Sequence, residues 1–170
     1  MDFQNAPLTD SFKRHHNYLR ISLTERCNLR CSYCMPVDGV QLSPAEHLMN
    51  ADEIFIIAQT FVKFGVTKIR LTGGEPLVRK DFPKILELLS TLNVELSLTS
   101  NAVSIDRHFE QLKNAGVKTV NISLDTLNAE RFHDITFRNY FDRVYQNILK
   151  LITEGFKVKI NAVLMRGVNE

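Results

Sequence analysis

Three cysteines, Cys27, Cys31 and Cys34, lie within a stretch of eight residues, and the chain of 170 residues has no others. Cysteine thiolates bind zinc and the irons of iron–sulfur clusters. A structural cluster normally uses four cysteine ligands, so a set of three leaves one iron of a 4Fe–4S cluster open to another ligand. The spacing therefore predicts a 4Fe–4S cluster whose fourth iron keeps a position open for another ligand.

A structural zinc site is the alternative interpretation of the same cysteines. It would need a fourth ligand from elsewhere in the chain, such as His47 or His108. Zinc knuckles usually come as paired Cys-x-x-Cys units, whereas here the first gap holds three residues and the second holds two. The unequal spacing favours the iron–sulfur cluster and leaves zinc as the second hypothesis.

Composition excludes several classes of protein. The chain is 44% hydrophobic and 24% charged, and its net charge of +2 is too small to indicate nucleic-acid binding. No apolar run approaches the roughly 20 residues that cross a bilayer. Residues 1–16 are polar and resemble neither a secretory nor a mitochondrial signal. Cysteines confined to one cluster favour a reducing compartment, so we expect a cytoplasmic protein without membrane or nucleic-acid partners.

The elements that must position the cysteines follow from the apolar periodicity. We expect residues 1–16 to form an N-terminal arm that is flexible or docked, and residues 17–170 to form one domain. The pattern predicts strands near 18–24, 67–72, 94–99, 118–124 and 157–164, and helices near 51–64, 82–91, 106–115 and 140–154. Strands that alternate with helices favour a parallel sheet with right-handed crossovers.

Every predicted strand has one apolar and one polar face. In the third, Leu96 and Leu98 alternate with Ser97 and Thr99, and the other four strands follow the same pattern. Parallel strands covered on both faces would read as continuous apolar runs. We therefore predict an α/β fold: a partial TIM-like (β/α) barrel of parallel strands, with helices outside and a polar interior, truncated after about five strands. A helix-backed sheet with a solvated polar face is the alternative.

The predicted polar face carries three cations, Arg20, Arg70 and Lys159. Their clustering on one face indicates an anionic ligand. The cysteines follow the first strand, where the functional loops of β/α barrels lie. Tyr33, beside the last cysteine, would cover one side of whatever binds the open iron.

A second motif, Thr-Gly-Gly-Glu-Pro at residues 72–76, follows the second strand. Gly73 and Gly74 allow a ligand to approach the backbone closely. Glu75 adds a carboxylate that would orient an ammonium group. An ordinary tight turn between strand and helix is the alternative interpretation, and the position beside the cysteine loop favours the ligand site.

These motifs together resemble the radical S-adenosylmethionine (SAM) superfamily and, more specifically, the GTP 3′,8-cyclases of molybdenum-cofactor biosynthesis, the MoaA family. The resemblance rests on Cys-x-x-x-Cys-x-x-Cys with an aromatic residue before the last cysteine, and on the later Gly-Gly-Glu-Pro. It runs from about residue 17 to the end of the chain. Further similar stretches are residues 18–27, 34–36, 68–79, 98–101, 121–127 and 157–161.

The resemblance implies a role for each matching residue. The three cysteines would ligate a 4Fe–4S cluster whose open iron binds SAM, and cleavage of SAM would yield a 5′-deoxyadenosyl radical. This radical would abstract the ribose 3′ hydrogen of GTP, and joining C3′ to C8 would give 3′,8-cyclo-7,8-dihydro-GTP. No catalytic residue beyond the cluster is implied. The implied contacts are Tyr33, Gly74 and Ser123, with Gly73 and Glu75, for SAM, and Arg20, Arg70, Thr99 and Lys159 for GTP.

The resemblance also implies an electron donor of flavodoxin or ferredoxin type and is consistent with a homodimer. The chain departs from the family in lacking a second, C-terminal cysteine cluster, which binds the purine of GTP, so we expect it to be the N-terminal portion of a longer enzyme. Ala102 and Phe137 stand where the family commonly has glycine. The open alternatives are a radical SAM enzyme with another substrate, and a non-catalytic truncated Fe–S or zinc-binding module.

Overall fold

The computed structural model describes residues 8–35 and 41–170. Within these residues, five strands form one sheet in the order β1-β2-β3-β4-β5, and every neighbouring pair is parallel. Residues 1–7 of the predicted arm and position 36 of the quoted motifs lie outside the described residues. The strands are β1 (Tyr18–Ser22), β2 (Lys68–Thr72), β3 (Glu95–Ser100), β4 (Thr119–Ser123) and β5 (Lys157–Asn161).

Helices connect the strands and pack on one face of the sheet. They are α1 (Ala51–Lys63), α2 (Phe82–Ser90), α3 (Phe109–Asn114), α4 (Ala129–Thr136) and α5 (Phe141–Thr153), with short 3₁₀ turns at Ala45–His47, Pro76–Val78 and Ile105–His108. Sequential parallel strands joined by helices are the architecture of a partial β/α barrel, which confirms the predicted fold class. Among the described residues, no helix is long and apolar enough to cross a membrane.

All five predicted strands are present, and each begins within one residue of its predicted start. The third predicted helix is shorter than expected, because residues 105–108 form a 3₁₀ turn before α3 begins. The sequence analysis missed α4 entirely. This helix is mostly polar and buries only Phe132, Ile135 and Thr136, so its apolar signal is weak. Its one clear local sign is Asn128, whose side chain accepts a hydrogen bond from Arg131 N at 2.8 Å.

Burial follows the predicted alternation of the strands. The apolar side chains of the inner strands lie beneath the helices: Ile69, Leu71, Leu98, Val120 and Ile122 are each at most 1% exposed. The polar side chains point to the opposite face, where Arg20 is exposed and Thr99 is partly exposed. Ser97 and Thr119, which are partners in register, are buried although they belong to the polar face. The Ser97 hydroxyl donates to Ile69 O and accepts from Arg70 Nε, both at 3.3 Å.

The described part of the N-terminal arm, residues 8–16, turns back on itself and docks beside α1. Leu8 N donates to Phe64 O at 3.1 Å, at the C-terminal end of that helix. The Asp10 carboxylate accepts from Phe12 N at 2.9 Å and Arg14 N at 3.0 Å, which holds the turn closed. These bonds satisfy backbone groups of the arm and of a helix end together.

The two edges of the described sheet are β1 and β5, and β5 is the less covered of the two. Ile160 on β5 is 52% exposed, although it belongs to the apolar face that buries the inner strands. Ile69 on β2 belongs to the same face and is fully buried. Ile69 and Ile160 therefore allow a central and an edge position of the same apolar face to be compared with one residue type.

We predict that Ile69→Ala lowers the free energy of unfolding by about 3 kcal/mol, because it leaves a cavity beneath α1 and α2. Ile160→Ala should lower it by less than about 1 kcal/mol, because the side chain is already half in solvent. Urea unfolding of both variants, followed by circular dichroism, measures the difference. Equal losses in the two variants would contradict the assignment of β5 as an open edge.

Candidate functional site

The cysteine loop leaves the carboxyl end of β1 and is held by α4. Arg30 N donates to Thr136 O at 3.0 Å, and Ser32 N donates to Ile135 O at 2.9 Å. The last carbonyl groups of a helix have no partner within the helix, so the end of α4 offers free acceptors. Phe137 closes the helix with φ of 52°, in the left-handed region that favours glycine. The helix that the sequence did not reveal therefore positions the residues between the cysteines.

The three cysteines are free thiols with different exposure. Cys27 and Cys31 are half-buried, and Cys34 is exposed. Burial raises the pKa of the Cys27 thiol and raises that of Cys31 to about 11. A metal that binds these two sulfur atoms must displace their protons.

The zinc hypothesis finds little support in the geometry. In residues 8–35 and 41–170, no three His, Cys, Asp or Glu side chains converge closely enough to hold a single ion. His108, one of the two proposed fourth ligands, instead packs edge-on against Phe82 of α2, with ring centroids 5.3 Å apart.

The glycine loop after β2 lies in direct backbone contact with the start of the cysteine loop. Gly74 N donates to Thr24 O at 2.6 Å, and Glu75 N donates to Arg26 O at 2.8 Å. A Cβ atom on Gly73 would lie 2.5 Å from Thr24 O, and one on Gly74 would lie 2.5 Å from Arg26 O. Gly73 also has φ of +146°. Both positions need glycine because a backbone segment crosses them, so the loop is more than an ordinary tight turn.

Glu75 is fully buried, and its carboxylate links its own loop to the segment at the end of β3. One oxygen accepts from Leu77 N at 3.1 Å and from Ser100 Oγ at 2.9 Å, and the other accepts from Asn101 N at 2.7 Å. Burial raises the pKa of this carboxyl to about 7, against the effect of the three hydrogen bonds. The sequence analysis expected Glu75 to orient an ammonium group of a ligand. The structure turns the carboxylate inward instead, toward donors of this chain.

Tyr33 links the cysteine loop to the end of β4. Its hydroxyl donates to Asp125 Oδ2 at 2.7 Å, and Asp125 Oδ1 accepts from Val163 N at 2.8 Å beyond β5. Tyr33, Cys31 and Ser123 line one cavity at this edge of the sheet. The structure therefore brings together two of the residues implied for SAM and one of the implied cluster ligands.

The cations implied for GTP lie on the polar face in strand register. Arg20 is the direct partner of Arg70 across β1 and β2. Arg70 also lies over the Tyr18 ring, with 5.5 Å from its guanidinium carbon to the ring centroid. Like charges directly opposite each other on a sheet are destabilising, so this pair is suited to an anion that both side chains contact.

Thr99 and Lys159 lie on the same face, one step nearer the carboxyl ends. Both flank Asn121 in register, Thr99 from β3 and Lys159 from β5. Asn121 Oδ1 is buried and has no hydrogen-bond partner among the described residues. A buried acceptor without a donor is costly unless a ligand or water supplies one. The sequence analysis did not select Asn121, although the strand alternation places it on the polar face.

The family model of the radical SAM superfamily matches residues 21–170, which is most of the chain. The chain therefore belongs to the radical SAM superfamily. The cofactors of this superfamily are a 4Fe–4S cluster, as the three cysteines indicated, and SAM, as the resemblance implied.

Curated relatives are similar over nearly the whole chain. Molybdenum cofactor biosynthesis protein 1 of Dictyostelium discoideum is 51% identical over 100% of this chain and 28% of its own length. The mitochondrial GTP 3′,8-cyclase of Arabidopsis thaliana is 49% identical over 96% of this chain and 43% of its own length. The GTP 3′,8-cyclase of Clostridium botulinum is 43% identical over 96% of this chain and 52% of its own length. The chain thus spans about half or less of these relatives.

Solved structures share the fold. The structure of Streptococcus suis SuiB bound to the precursor peptide SuiA superposes with a TM-score of 0.72 over 88% of this chain and 33% of SuiB. The sequences are 24% identical, so this likeness concerns the fold.

We predict that Gly74→Ala lowers the free energy of unfolding by about 2 kcal/mol or more, because the new Cβ would strike the backbone carbonyl of Arg26. It should also lower the iron bound after anaerobic reconstitution, because the cysteine loop must move. Gly116→Ala is the matched control: its φ is +70° and nothing lies within 4 Å of the added Cβ. It should cost about 1 kcal/mol from backbone strain and keep full iron binding. Equal iron loss in both variants would contradict the assigned contact.

We predict that Glu75 makes stability fall with rising pH. The folded chain keeps this proton up to about pH 7, whereas the unfolded carboxyl releases it near 4.5. The contribution of this carboxyl to stability should therefore decrease across that window, by up to about 1.4 kcal/mol per pH unit. In Glu75→Gln this contribution is absent. The difference in free energy of unfolding, wild type minus variant, should therefore become smaller as the pH rises from 4.5 to 7.

Urea unfolding at several pH values measures this difference, with Glu87→Gln on the exposed face of α2 as the control for the lost charge. A difference between wild type and Glu75→Gln that stays constant from pH 4.5 to 7 would contradict the prediction. A constant offset alone would report only the loss of hydrogen-bond acceptors.

Proposed function

We propose that this chain provides the radical-generating core and the triphosphate-binding face of a GTP 3′,8-cyclase, the enzyme of the first step of molybdenum-cofactor biosynthesis. The observation that carries the proposal is the direct pairing of Arg20 with Arg70 on the polar face. Two guanidinium groups side by side favour a polyanion over a neutral peptide or sugar. Identities of 43–51% to proteins named for this activity or pathway support the same substrate.

The chain's own residues fit the cofactors of its superfamily. In this proposal Cys27, Cys31 and Cys34 hold three irons of a 4Fe–4S cluster, and the fourth iron binds SAM. The loop that carries them is anchored by α4 and by the glycine loop, which limits its movement. When bound and reduced, the cluster and SAM supply a 5′-deoxyadenosyl radical.

In this proposal SAM contacts the cavity beside Cys31 and the glycine loop after β2. Tyr33 and Ser123 line the cavity beside Cys31. The N–H of Gly74 is committed to Thr24 O, so in this proposal Gly74 contributes its carbonyl oxygen, which suits an ammonium group. Gly73 acts by leaving room for the crossing backbone. Glu75 acts through its support of the loop after β3, not as a direct contact.

Contacts with GTP come from the polar face. Arg20, Arg70 and Lys159 bind the triphosphate, and Thr99 donates or accepts one further hydrogen bond. Asn121, which lies between Thr99 and Lys159, offers its unpartnered oxygen to a donor of the nucleotide. Together these residues would fix the position and orientation of the nucleotide relative to the cofactors.

Several finer expectations belong to the same proposal. They are the division into an arm at residues 1–16 and a core at residues 17–170, an electron donor of flavodoxin or ferredoxin type, a homodimer and a cytoplasmic location. The docking of residues 8–16 beside α1 supports an arm that is at least partly ordered. The exposed position of Cys34 supports electron transfer from a partner at that end of the loop.

We predict that the triple variant Arg20→Ala, Arg70→Ala, Lys159→Ala loses at least about 100-fold in affinity for GTP, since each charge-assisted contact contributes roughly 1.5–3 kcal/mol. Reductive cleavage of SAM to 5′-deoxyadenosine should continue, because none of the three residues lines the cavity beside the cysteines. Calorimetric titration with GTP and chromatography of 5′-deoxyadenosine measure the two effects in the anaerobically reconstituted protein.

The control is the triple variant Lys63→Ala, Arg107→Ala, Lys118→Ala, which removes the same charge from exposed positions. It should keep both GTP binding and SAM cleavage. If tight GTP binding survives the change on the polar face, the substrate assignment is wrong. Stoichiometric zinc without iron after reconstitution would overturn the radical function itself.

A further inference from the structure

Asn101, the first residue after β3, is 6% exposed and lies against the cysteine loop. Its side-chain oxygen accepts a hydrogen bond from Val103 N at 3.0 Å, so the amide nitrogen must face the other way. That nitrogen donates to Asn28 Oδ1 at 2.6 Å and to Cys27 Sγ at 3.6 Å. The orientation of the amide is therefore set by the backbone, and its N–H groups are aimed at the first cysteine.

The segment that carries Asn101 is held from several sides. Its backbone N–H donates to the buried Glu75 carboxylate at 2.7 Å. The preceding Ser100 hydroxyl donates to the same carboxylate and accepts from Ala102 N, both at 2.9 Å. Asn147 Nδ2 on α5 donates to Ala102 O at 2.7 Å and holds Ala102 in its left-handed conformation, φ 61°. Such support around one side chain is typical of groups that orient a metal ligand.

Cys27 Sγ has two hydrogen-bond donors, Asn101 Nδ2 and the backbone N–H of Leu29 at 3.4 Å. Donors to a cysteine sulfur withdraw negative charge from an iron–sulfur cluster. One-electron reduction adds negative charge to the cluster, so these donors stabilise the reduced state more than the oxidised state. Each donor should therefore shift the reduction potential in the positive direction.

We propose that Asn101 is a positioning residue that orients Cys27 and raises the reduction potential of the cluster through its Nδ2–H···Sγ hydrogen bond. The inference rests on the proposed function, because it requires Cys27 to be a cluster ligand. In this proposal Asn101 adjusts the reduction potential of the cluster. Glu75 contributes indirectly, because its carboxylate accepts the hydrogen bond of Asn101 N. The side chain of Asn101 acts on the cluster through Cys27.

The test compares Asn101→Asp and Asn101→Ala with wild type after anaerobic reconstitution. Asn101→Asp keeps the size of the side chain and the acceptor for Val103 N, and replaces the donor with an oxygen. Both variants should bind the wild-type amount of iron and have a more negative reduction potential, with the larger shift in Asn101→Asp. The potential is measured by titration with dithionite, followed by electron paramagnetic resonance. Asn114→Ala, at an exposed asparagine of α3, is the matched control and should keep the wild-type potential.

A second variant moves the potential in the opposite direction. Asn101 Nδ2 has two hydrogens, and Asn28→Ala removes the acceptor that it contacts at 2.6 Å, which leaves Cys27 Sγ, now at 3.6 Å, as the partner toward which the amide can move. Its potential should shift in the positive direction, and the resonance Raman frequency of the Fe–S bond to cysteine should change when the protein is exchanged into deuterium oxide. This variant decides the matter even if both Asn101 variants fail to bind iron.

The outcomes separate this inference from the proposed function. Wild-type protein that binds no iron would overturn the proposed function, and with it the inference. If the wild-type protein binds iron and cleaves SAM, but Asn101→Asp, Asn101→Ala and Asn28→Ala all keep the wild-type reduction potential, only the role of Asn101 is overturned. A negative shift in the Asn101 variants with a positive shift in Asn28→Ala supports the hydrogen bond to Cys27.

Discussion

The exit of β1 crosses the glycine loop after β2 at backbone contact distance, and most of the site depends on this crossing. Gly74 N lies 2.6 Å from Thr24 O, and a Cβ atom at either glycine would lie 2.5 Å from a carbonyl oxygen of the crossing segment. Because no side chain separates the two segments, the cysteine loop begins beside the carboxyl ends of β2 and β3. A parallel sheet places all its functional loops at this edge, and the crossing decides where on that edge the thiols lie.

Two further contacts hold the loop from opposite sides. On one side the buried carboxylate of Glu75 binds the backbone of Asn101, which in turn donates to Cys27 Sγ. On the other side, the last carbonyls of α4 accept backbone hydrogen bonds from between the cysteines. Neither contact would form in an unsupported loop, because ordering a loop costs conformational entropy that the surrounding structure must offset. A large cofactor needs such support, since its ligands must keep their positions while the cluster changes charge.

The polar face of the sheet carries groups that lower the stability of the free protein and suit ligand binding. Burial of the apolar face beneath the helices supplies the stability of the sheet, and it leaves the other face available for Arg20 and Arg70. Side-by-side cations and the unpartnered oxygen of Asn121 weaken the free protein and suit an anionic ligand that also carries a hydrogen-bond donor. Residues that break the rules of a stable sheet are therefore concentrated on one face, as expected where a ligand completes the structure.

Local spacing in the sequence determined the ligand type of the cysteines, the five strands, the face that each strand buries and the likeness to radical SAM proteins. Such features depend on residues that are near one another in the chain, where periodicity and motif spacing carry the information. Only the tertiary structure decided that Glu75 points inward, that α4 anchors the cysteine loop and that Asn101 contacts Cys27. These contacts join residues far apart in sequence: 26 positions from Glu75 to Asn101, and 74 from Cys27 to Asn101. No periodic pattern encodes them, because they arise where the carboxyl ends of separate strands converge on one edge of the folded sheet.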